Sequence, residues 1–480
     1  MIRFLLNSVE QLIEDLDPNT TVLDYLRLHL RRTGTKEGCA SGDCGACTVV
    51  LAEAREDQLR YSAINACITP IGNLHGKQLI TVEDLKQGAV LHPVQQAMVD
   101  CHGSQCGFCT PGFVMSMFAY RKTHAAPDRE SLLEALGGNL CRCTGYRPIV
   151  DAGMQMYEAD TGDSFDASAD AVLNTLKSID SNTDEVFLSG NHKSYFAPRS
   201  LAHLASALLE NPEARLVAGA TDLALEMTQG LEEIDTLLYP GLVPELQTVR
   251  DTGTALEIGA AVTYSQFSSQ LCAEYPEMAE LIERLGSLQI RNQGTLGGNI
   301  GNASPIGDMA PALIAIGADL VLRRGDAVRV VAVEDYFVSY LVTVLQVGEF
   351  IERIIVPKAR AGEIFKVYKV SKRWEDDISA VCGAFRLRVV DGKVAGVAIA
   401  FGGMAEIPKR AHHCEQAMLG QAWAESSITP AMAALAQDFT PISDFRASAD
   451  YRMQVAGNLL QRLFLETQPG AATVRVRLYA

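Results

Sequence analysis

The chain has 480 residues, more than one hydrophobic core usually accommodates, so we expect two to four domains. Apolar residues make up 48% and charged residues 21%, a balance that excludes a disordered chain and favours a globular fold. The net charge of -17 argues against nucleic acid or an anionic membrane surface as a partner, because long-range repulsion would oppose encounter.

The sequence offers no targeting or membrane segment. Its first ten residues lack the basic and apolar regions of a secretory signal. The most apolar stretch, Ala310 to Leu322, is too short to span a bilayer and contains Asp319, so we predict a buried helix or strand there. We therefore expect a cytoplasmic protein, in which clustered cysteines bind metal or do redox work instead of forming disulfides.

Cysteine density divides the chain, because nine of the twelve cysteines lie between Cys39 and Cys143. We predict five segments in chain order: residues 1–82, a small α+β unit; 83–160, helical; 161–184, an acidic linker; 185–358 and 359–480, both α+β. Several elements can be predicted within them. The strands are Ile2–Leu6, Thr48–Leu51, Leu256–Ile258, Val328–Val333 and Phe385–Val390, and the helices are Val22–Leu30, Pro93–Cys101, Gly112–Tyr120, Ala171–Lys177, Leu201–Leu209 and Met278–Leu285.

The first group of cysteines is Cys39, Cys44 and Cys47, with Cys67 following after 19 intervening residues. This is the plant-ferredoxin spacing for a 2Fe–2S cluster. The small residues between these cysteines allow the backbone to wrap closely and to direct N–H groups at the sulfurs. Four thiolates also suit a structural zinc ion, which is the alternative.

The second group consists of Cys106, Cys109, Cys141 and Cys143. The first two form a Cys-x-x-Cys motif that could be a redox dithiol, but no thioredoxin-like βαβ pattern surrounds it, and the Cys-x-Cys pair indicates a shared metal centre. We predict that Thr110 is the N-cap of a helix that begins beside Cys109. Cys101 lies outside both complete sets, and we expect it to be non-ligating.

These cysteines and their flanking residues resemble the iron–sulfur part of the molybdenum hydroxylases, the family of the xanthine dehydrogenases and aldehyde oxidases. The matching motifs are Glu-Gly-Cys-x4-Cys-Gly-Ala-Cys-Thr, His-Pro-Val-Gln at 92–95, Gln-Cys-Gly-Phe-Cys-Thr-Pro-Gly at 105–112 and Gly-Asn-Leu-Cys-Arg-Cys-Thr-Gly-Tyr at 138–146. The resemblance implies two 2Fe–2S clusters, the first in a ferredoxin-like β-grasp domain and the second in a helical bundle.

Two later loops have the residue types of a diphosphate site. Leu216–Leu223 places an apolar strand before a Gly-containing turn and a helix start, and residues 294–308 concentrate glycine and short polar side chains. A strand–turn–helix junction of the first kind is often purely structural. Neither loop is the Gly-x-Gly-x-x-Gly fingerprint, so a separate Rossmann domain for NAD is not supported.

Both loops resemble the FAD segments of the same family. The resemblance implies a two-part α+β FAD-binding domain of the PCMH type with a C-terminal flavoprotein subdomain, so that the whole chain is an α+β multidomain protein. It assigns the following residues to FAD: Leu216, Val217, Ala218, Gly219, Ala220, Thr221, Asp222, Leu223, Leu285, Thr295, Leu296, Gly297, Gly298, Asn299, Asp308, Ile351 and Lys369. Leu285 stands where animal relatives carry an aromatic residue near the flavin ring.

The family oxidises its substrates at a molybdenum–pterin centre, and no such domain follows the flavin region of this sequence. The resemblance therefore implies an arrangement like that of bacterial xanthine dehydrogenases, in which a small iron–sulfur/FAD subunit pairs with a large molybdopterin subunit in a heterotetramer or larger assembly. Electrons would pass from the second cluster to the first and through FAD to NAD⁺. The loop Lys372–Asp377 resembles the family's charged loop near the flavin, although it is equally well a solvated turn.

Two alternatives stay open. One is the same role in a hydroxylase of the family that acts on an aldehyde or another N-heterocycle. The other is a different class, a stand-alone flavin/iron–sulfur reductase that delivers electrons to a soluble acceptor without a molybdenum partner.

Overall fold

The computed structural model describes residues 1–158, 162–181, 185–468 and 470–471. These residues form two compact units. The first unit combines Met1–Leu204, Glu213–Val243 and Gly286–Gly294, and the second combines Ala205–Pro212, Pro244–Leu285 and the described residues from Thr295 onward. The bounds of these two units differ from those of the five predicted segments. The five segments remain a prediction.

The first unit begins with a five-stranded sheet. Its strands are β1 (Ile2–Leu6), β2 (Val9–Ile13), β3 (Thr48–Arg55), β4 (Gln58–Asn65) and β5 (Gln78–Ile80). Their order in the sheet is β2-β1-β5-β3-β4, with β1 and β5 parallel and the other pairs antiparallel. β1 has the bounds that its apolar pattern predicts, while β3 extends four residues beyond the predicted strand.

The helix predicted at Val22–Leu30 is not a regular α-helix throughout. It begins as α1 (Val22–Asp24) and continues as a π-helical turn, Tyr25–His29. The Thr21 hydroxyl caps its start by accepting a hydrogen bond from the Asp24 backbone N–H.

Four helices follow: α2 (Pro93–Asp100), α3 (Thr110–Thr123), α4 (Arg129–Leu136) and α5 (Arg147–Gln155). α3 is the central one, because all residues from Gly112 to Tyr120 are buried. Its neighbours supply Val94, Leu132 and Ile149 to the same core. A helix that is buried all round needs no amphipathic pattern, which explains why apolar residues fill nearly every position.

The segment predicted as a linker contains a long helix, α6 (Ser164–Asp180). The helix-like patch 171–177 lies inside it, but the prediction of an otherwise irregular segment was wrong for residues 164–170. Asp163 and Asp166 form a capping box at its start, and Val172, Leu176 and Ile179 pack with Leu5 of β1. The flanking residues 159–161 and 182–184 lie outside the described part of the chain.

A four-stranded sheet completes the first unit. Its elements in chain order are β6 (Val186–Gly190), β7 (Lys193–Ala197), β8 (Arg215–Leu216), α8 (Leu223–Thr228) and β9 (Thr236–Leu238). The helix α7 (Leu201–Glu210) lies between β7 and β8 in the sequence, and from Ala205 onward it belongs to the second unit. The strand order is β6-β7-β9-β8. Tyr195 and Leu237 of this sheet share one hydrophobic core with Phe4 and Ile64 of the first sheet.

The second unit contains a five-stranded sheet of order β10-β11-β16-β12-β13. The strands from here to residue 357 are β10 (Val249–Asp251), β11 (Ala255–Gly259), β12 (Asp319–Arg324), β13 (Ala327–Ala332), β14 (Phe337–Ser339), β15 (Val342–Thr343) and β16 (Phe350–Pro357). The helices are α9 (Tyr264–Glu274), α10 (Met278–Glu283), α11 (Leu288–Arg291), which belongs to the first unit, α12 (Leu296–Gly301) and α13 (Met309–Ile316). The apolar stretch from Ala310 thus forms both a buried helix and a strand.

The rest of the second unit is an antiparallel sheet of order β17-β18-β19-β20 with three helices. The elements are β17 (Glu363–Val370), β18 (Val381–Val390), β19 (Lys393–Gly402), β20 (Lys409–Arg410), α14 (His412–Met418), α15 (Glu425–Asp438) and α16 (Ala449–Glu466). Among the described helices, none is long and apolar enough to cross a membrane.

Candidate cofactor sites

The first four cysteines converge in one place. Cys47 and Cys67 are buried, and their sulfurs lie 3.3 Å apart. The Cys39 thiol is within hydrogen-bonding reach of both Cys44 and Cys67. The structure therefore brings the four predicted ligands of this set close to one another.

The loop between these cysteines is shaped to present N–H groups to sulfur. The backbone N–H groups of Ser41 and Cys44 both donate to Cys39 Sγ at 3.4 Å. A Cβ atom on Gly38 would lie 2.7 Å from Cys44 Sγ, so only glycine fits there. Donors directed at sulfur stabilise negative charge on thiolate ligands, as a 2Fe–2S cluster requires.

Hydrogen bonds among the thiols of the first set favour ionisation of one cysteine over two of its neighbours. Hydrogen bonds from Cys44 and Cys67 hold the pKa of Cys39 far below its ordinary value. The same contacts, together with burial, raise the pKa values of Cys44 and Cys67. One thiolate is therefore stabilised at the expense of its neighbours, and bound iron would supply the positive charge that lets the others ionise.

The second four cysteines form two pairs near the starts of α3 and α5. Cys106 contacts Cys143, and Cys109 contacts Cys141. Cys106 and Cys143 are exposed, whereas Cys141 is buried. The predicted set is therefore brought together, and it lies nearer the surface of the chain than the first set.

Hydrogen bonds divide the second set electrostatically. The Phe108 backbone N–H and the Cys143 thiol lower the pKa of Cys106, whereas burial and the Cys141 contact raise the pKa of Cys109 to about 12. Burial opposes ionisation of Cys141, but hydrogen bonds, the largest from Thr144, outweigh it and lower its pKa. As in the first set, a bound cation would favour ionisation of the remaining thiols.

The predicted N-cap of α3 was wrong by one residue. The capping position is occupied by Cys109 itself, and Thr110 is the first helical residue. The Thr110 hydroxyl donates to Ser104 Oγ at 2.7 Å instead of capping the helix. The helix N-terminus therefore begins at a predicted ligand, where its partial positive charge favours a thiolate.

Cys101 lies apart from both sets. Its sulfur donates to Gln155 Oε1 at 2.8 Å. Burial and the nearby carboxylates Asp151, Asp100 and Glu158 raise its pKa, which disfavours the thiolate that a metal would need.

The first predicted flavin loop lies wholly in the first unit. It runs from Leu216 at the end of β8 to Leu223 at the start of α8. Gly219 is required by a close approach, because a Cβ atom there would lie 1.9 Å from the Gln293 carbonyl oxygen. Ala220 has a φ of 60°, in the left-handed region. This tight, strained turn before a short helix is of the kind that exposes backbone N–H groups to an anionic ligand.

The second predicted flavin loop lies in the second unit from Thr295 onward. Thr295 caps α12 by accepting from the Gly298 N–H at 3.0 Å. Asn299 Oδ1 is buried without a hydrogen-bond partner among the described residues. A buried acceptor without a partner is costly unless a ligand or a water molecule donates to it, so this observation fits a bound cofactor.

Asp308 and Lys369, both predicted flavin residues, form a buried ion pair in the second unit. Lys369 Nζ lies 2.6 Å from Asp308 Oδ2, and the Ser379 hydroxyl donates to Asp308 Oδ1 at 2.5 Å. The Tyr264 hydroxyl is buried and has no partner within the described chain. Burial and then the Asp308 charge raise the Tyr264 pKa, so this phenol stays neutral and able to donate.

Leu285 and Ile351, the remaining predicted flavin residues, belong to the apolar core of the second unit. Ile351 is 7% exposed, and Leu285 packs at the edge of the same core. Neither has an aromatic ring to stack on a flavin.

Arg284 is a buried residue that the sequence did not single out. It donates from Nε to the Trp374 carbonyl oxygen at 3.1 Å, from Nη1 to the Lys369 carbonyl oxygen at 2.9 Å and from Nη2 to Ser371 Oγ at 3.1 Å. Its guanidinium also lies over the Trp374 ring, 4.2 Å from the centroid. The charged loop Lys372–Asp377 is thus anchored at one point by a cation–π contact.

Arg452 of α16 is also buried. It bonds the Ala380 and Gly403 carbonyl oxygens and lies 2.7 Å from the Asp444 carboxylate. Arg452 thereby joins α16 to the residue before β18 and to the residue after β19, and no local sequence pattern indicated this role.

Four family models match the chain in succession. A 2Fe-2S iron-sulfur cluster binding domain matches residues 4–72, and a 2Fe-2S binding domain matches 81–154. The FAD binding domain in molybdopterin dehydrogenase matches 189–359, and the CO dehydrogenase flavoprotein C-terminal domain matches 366–467.

Curated relatives match most of the chain. Xanthine dehydrogenase/oxidase of Mus musculus is 32% identical over 486 residues, covering 91% of this chain and 36% of the relative. Aldehyde oxidase 2 of Cavia porcellus is 30% identical, covering 96% of this chain and 39% of the relative. The chain therefore spans little more than a third of the length of these relatives.

Solved structures share the fold over about half of the chain. Carbon monoxide dehydrogenase from Hydrogenophaga pseudoflava, lacking the Mo-pyranopterin moiety of the molybdenum cofactor, is 29% identical with a TM-score of 0.54. It covers 56% of this chain and 94% of its own. Quinoline 2-oxidoreductase from Pseudomonas putida 86 is 26% identical with a TM-score of 0.52, covering 57% of this chain and 95% of its own.

Proposed function

Since the chain belongs to the molybdenum hydroxylases and carries their two 2Fe–2S domains and FAD-binding domain, we propose that it is the electron-transfer component of such an enzyme. The observation that carries this proposal is the convergence of eight thiols into two separate four-thiol sites. When bound, 2Fe–2S clusters carry single electrons and FAD exchanges electrons with a hydride carrier.

We assign the first cluster to Cys39, Cys44, Cys47 and Cys67, and the second to Cys106, Cys109, Cys141 and Cys143. For the first set, the buried thiols and the N–H groups directed at sulfur support a 2Fe–2S cluster over a structural zinc ion. The flavin assignment rests on family resemblance, the tight turn at Gly219 and the unpartnered Asn299 oxygen. It includes Leu216–Leu223, Leu285, Thr295–Asn299, Asp308, Ile351 and Lys369.

Electrons enter at the second cluster in this proposal. Support comes from its surface position, because Cys106 and Cys143 are exposed and Phe108 and Leu140 beside them are 49% and 43% exposed. Exposed apolar side chains around a redox site suit a protein partner. The partner that we propose is a large molybdopterin-binding subunit, in a cytoplasmic heterotetramer or larger assembly.

The finer proposal is a bacterial-type xanthine dehydrogenase. The partner would oxidise hypoxanthine and xanthine to urate, and NAD⁺ would accept the electrons at the flavin. Xanthine dehydrogenases among the relatives support this choice. The aldehyde oxidase relative and the quinoline 2-oxidoreductase structure keep an aldehyde or another N-heterocycle as a second candidate substrate.

Purification of the tagged chain from its natural source tests this function. We expect molybdenum to co-purify with it, and we expect the preparation to reduce NAD⁺ with xanthine or hypoxanthine but not with aldehydes. Aldehyde or quinoline turnover would favour the second candidate. A molybdenum-free preparation that turns over a soluble acceptor with full activity would instead indicate a stand-alone reductase.

A further inference from the structure

Gln289 is a buried glutamine that comes from the flavin part of the sequence but lies among the cysteine loops of the first unit. Its side chain is fully buried. Its amide nitrogen lies 3.1 Å from Asn139 Oδ1, 3.2 Å from Ser116 Oγ and 3.3 Å from Thr48 Oγ1. The two N–H groups of a single amide are thus shared among three acceptors, one from β3, one from α3 and one from the loop between α4 and α5.

The acceptors of Gln289 reach the loop of the first cluster. The Thr48 hydroxyl donates to the Gly45 carbonyl oxygen at 2.7 Å, and Asn139 Nδ2 donates to the same oxygen at 3.1 Å. The Ser116 hydroxyl donates to Asn139 Oδ1 at 2.6 Å, which fixes the orientation of that amide. Because Gly45 lies between two ligands of the first set, the network holds the ligand loop from one side.

The same network lies beside the direct contact between the two ligand loops. The Leu140 backbone N–H donates to the Cys44 carbonyl oxygen at 3.0 Å, and Leu140 is peptide-bonded to Cys141. A ligand of the first set and a ligand of the second are therefore joined by covalent bonds and one hydrogen bond. Electron tunnelling is stronger through bonds than across a gap, so this hydrogen bond completes a short bonded route between the sets.

We propose that Gln289 is a positioning residue for electron transfer between the two clusters. It holds Asn139 and Thr48, and these side chains hold the ligand loops so that the Cys44–Leu140 hydrogen bond stays formed. In the step concerned, one electron leaves the reduced second cluster, which is oxidised, and reduces the first. The inference rests on the proposed function and gives a segment of the flavin region a role in the transfer step.

Gln78 offers a matched control. It is also a buried glutamine of the first unit, and its Oε1 atom, like that of Gln289, has no partner among the described residues. Its amide nitrogen donates to the Asn7 carbonyl oxygen at 2.7 Å, away from both ligand loops. Gln289→Leu and Gln78→Leu therefore each remove one buried amide group, but only Gln289→Leu disturbs the proposed network.

The test uses the full chain loaded with both clusters and FAD. A light pulse with a photoreductant adds one electron per molecule, and rapid-freeze electron paramagnetic resonance follows its redistribution between the clusters. We expect Q289L to slow this exchange severalfold with unchanged iron content. Q78L should lower thermal stability comparably and exchange electrons at the wild-type rate.

Equal exchange rates in Q289L and Q78L would overturn the inference while leaving the proposed function intact. The absence of exchange in the wild-type chain would instead overturn both. Should Q289L fail to retain its clusters, Ser116→Ala removes one hydroxyl of the network with little change in volume. Slower exchange in S116A would support the inference, and wild-type exchange in S116A would contradict it.

Discussion

At the scale of single residues, the ligand loops touch only because glycine occupies the contact. Gly45 has a φ of 67°, and a Cβ atom there would lie 2.2 Å from the Gly138 carbonyl oxygen. Gly138 precedes Asn139 in the loop of the second set. The first loop must therefore move away from the second if any side chain is introduced at Gly45.

We expect Gly45→Ala to lower the iron content of both sites, because neither loop can keep its position. Gly76→Ala is the control, since Gly76 also has a positive φ of 75° but no atom within 4 Å of its Cβ position. That variant should lose only about 1 kcal/mol from left-handed strain and keep its iron. Iron analysis and thermal unfolding distinguish the two, and equal iron content would contradict the account.

His75 should make stability depend on pH. Burial is the main cause that lowers its pKa from 6.5 to about 3, followed by repulsion from Arg199, the N-terminus, Arg3 and Lys77. The native state therefore stays unprotonated where the unfolded chain takes up a proton. The stabilisation is complete above pH 6.5 and is lost progressively as the pH falls toward 3.

For His75→Asn, which cannot titrate, this loss disappears. Between pH 7 and pH 5 the wild type should lose about 2 kcal/mol more unfolding free energy than H75N does. Urea unfolding at both pH values measures the difference. A parallel pH dependence in the two proteins would show that folding does not lower the pKa of His75.

The sequence singles out the cysteine sets but not the residues that support them, for a physical reason. Ligand spacing is a local pattern, so Cys39, Cys44 and Cys47 can be recognised within nine residues of sequence. The contacts of Gln289 join it to residues 150 and 241 positions away. No local pattern separates such a glutamine from one at the surface, and the same holds for Ser379 and Arg284.

At the scale of elements, α6 depends on one buried carboxylate. Asp163 caps the helix, lies 2.9 Å from His92 Nε2 and lies 2.5 Å from Lys122 Nζ. Burial raises its pKa, but the hydrogen bonds from His92 and Lys122 outweigh burial and lower it well below the ordinary value. The charge therefore ties the acidic segment to the helices around the second cluster.

We expect Asp163→Ala to lower the free energy of unfolding by about 3 kcal/mol, from the lost cap and the broken buried pair. Asp128→Ala, which removes the exposed N-cap of α4, should cost distinctly less. Urea unfolding with circular dichroism compares them. The loss of stability in D163A should shrink only at acidic pH. A carboxyl whose pKa is lowered by folding stabilises the fold at every pH above its unfolded pKa, and this stabilisation is lost as the pH falls toward its folded pKa. Equal losses in both variants would contradict this account.

The elements themselves were predictable where their pattern was local. The alternation in Ile2–Leu6 and the apolar run in α3 were sufficient, whereas α6 looked like a linker because its composition is acidic and rich in Ser and Asp. Three of its residues at helical spacing, Val172, Leu176 and Ile179, are buried against Leu5 of β1. The π-helical turn at Tyr25–His29 has no simple sequence signal.

At the scale of the whole molecule, the iron–sulfur part does not complete its own core. The first sheet shares one hydrophobic core with Leu188, Tyr195 and Leu237, which come from the sequence predicted as the flavin domain. Residues 1–82 thus share part of their hydrophobic core with residues 186–239.

We therefore expect a fragment of residues 1–158 to be markedly less stable than a fragment of residues 1–243, since the shorter one exposes the core face that Tyr195 and Leu237 cover. Limited proteolysis and thermal unfolding of both fragments measure this. Equal melting temperatures would show that the shared core contributes little.

Electron paramagnetic resonance of the reduced, purified chain tests the central claim most directly. The account predicts about four irons per chain and two distinct 2Fe–2S signals. Cys47→Ser should alter only one signal, and Cys141→Ser only the other. A zinc-containing chain without such signals, or a single signal that both substitutions abolish, would contradict the assignment of the eight cysteines to two clusters.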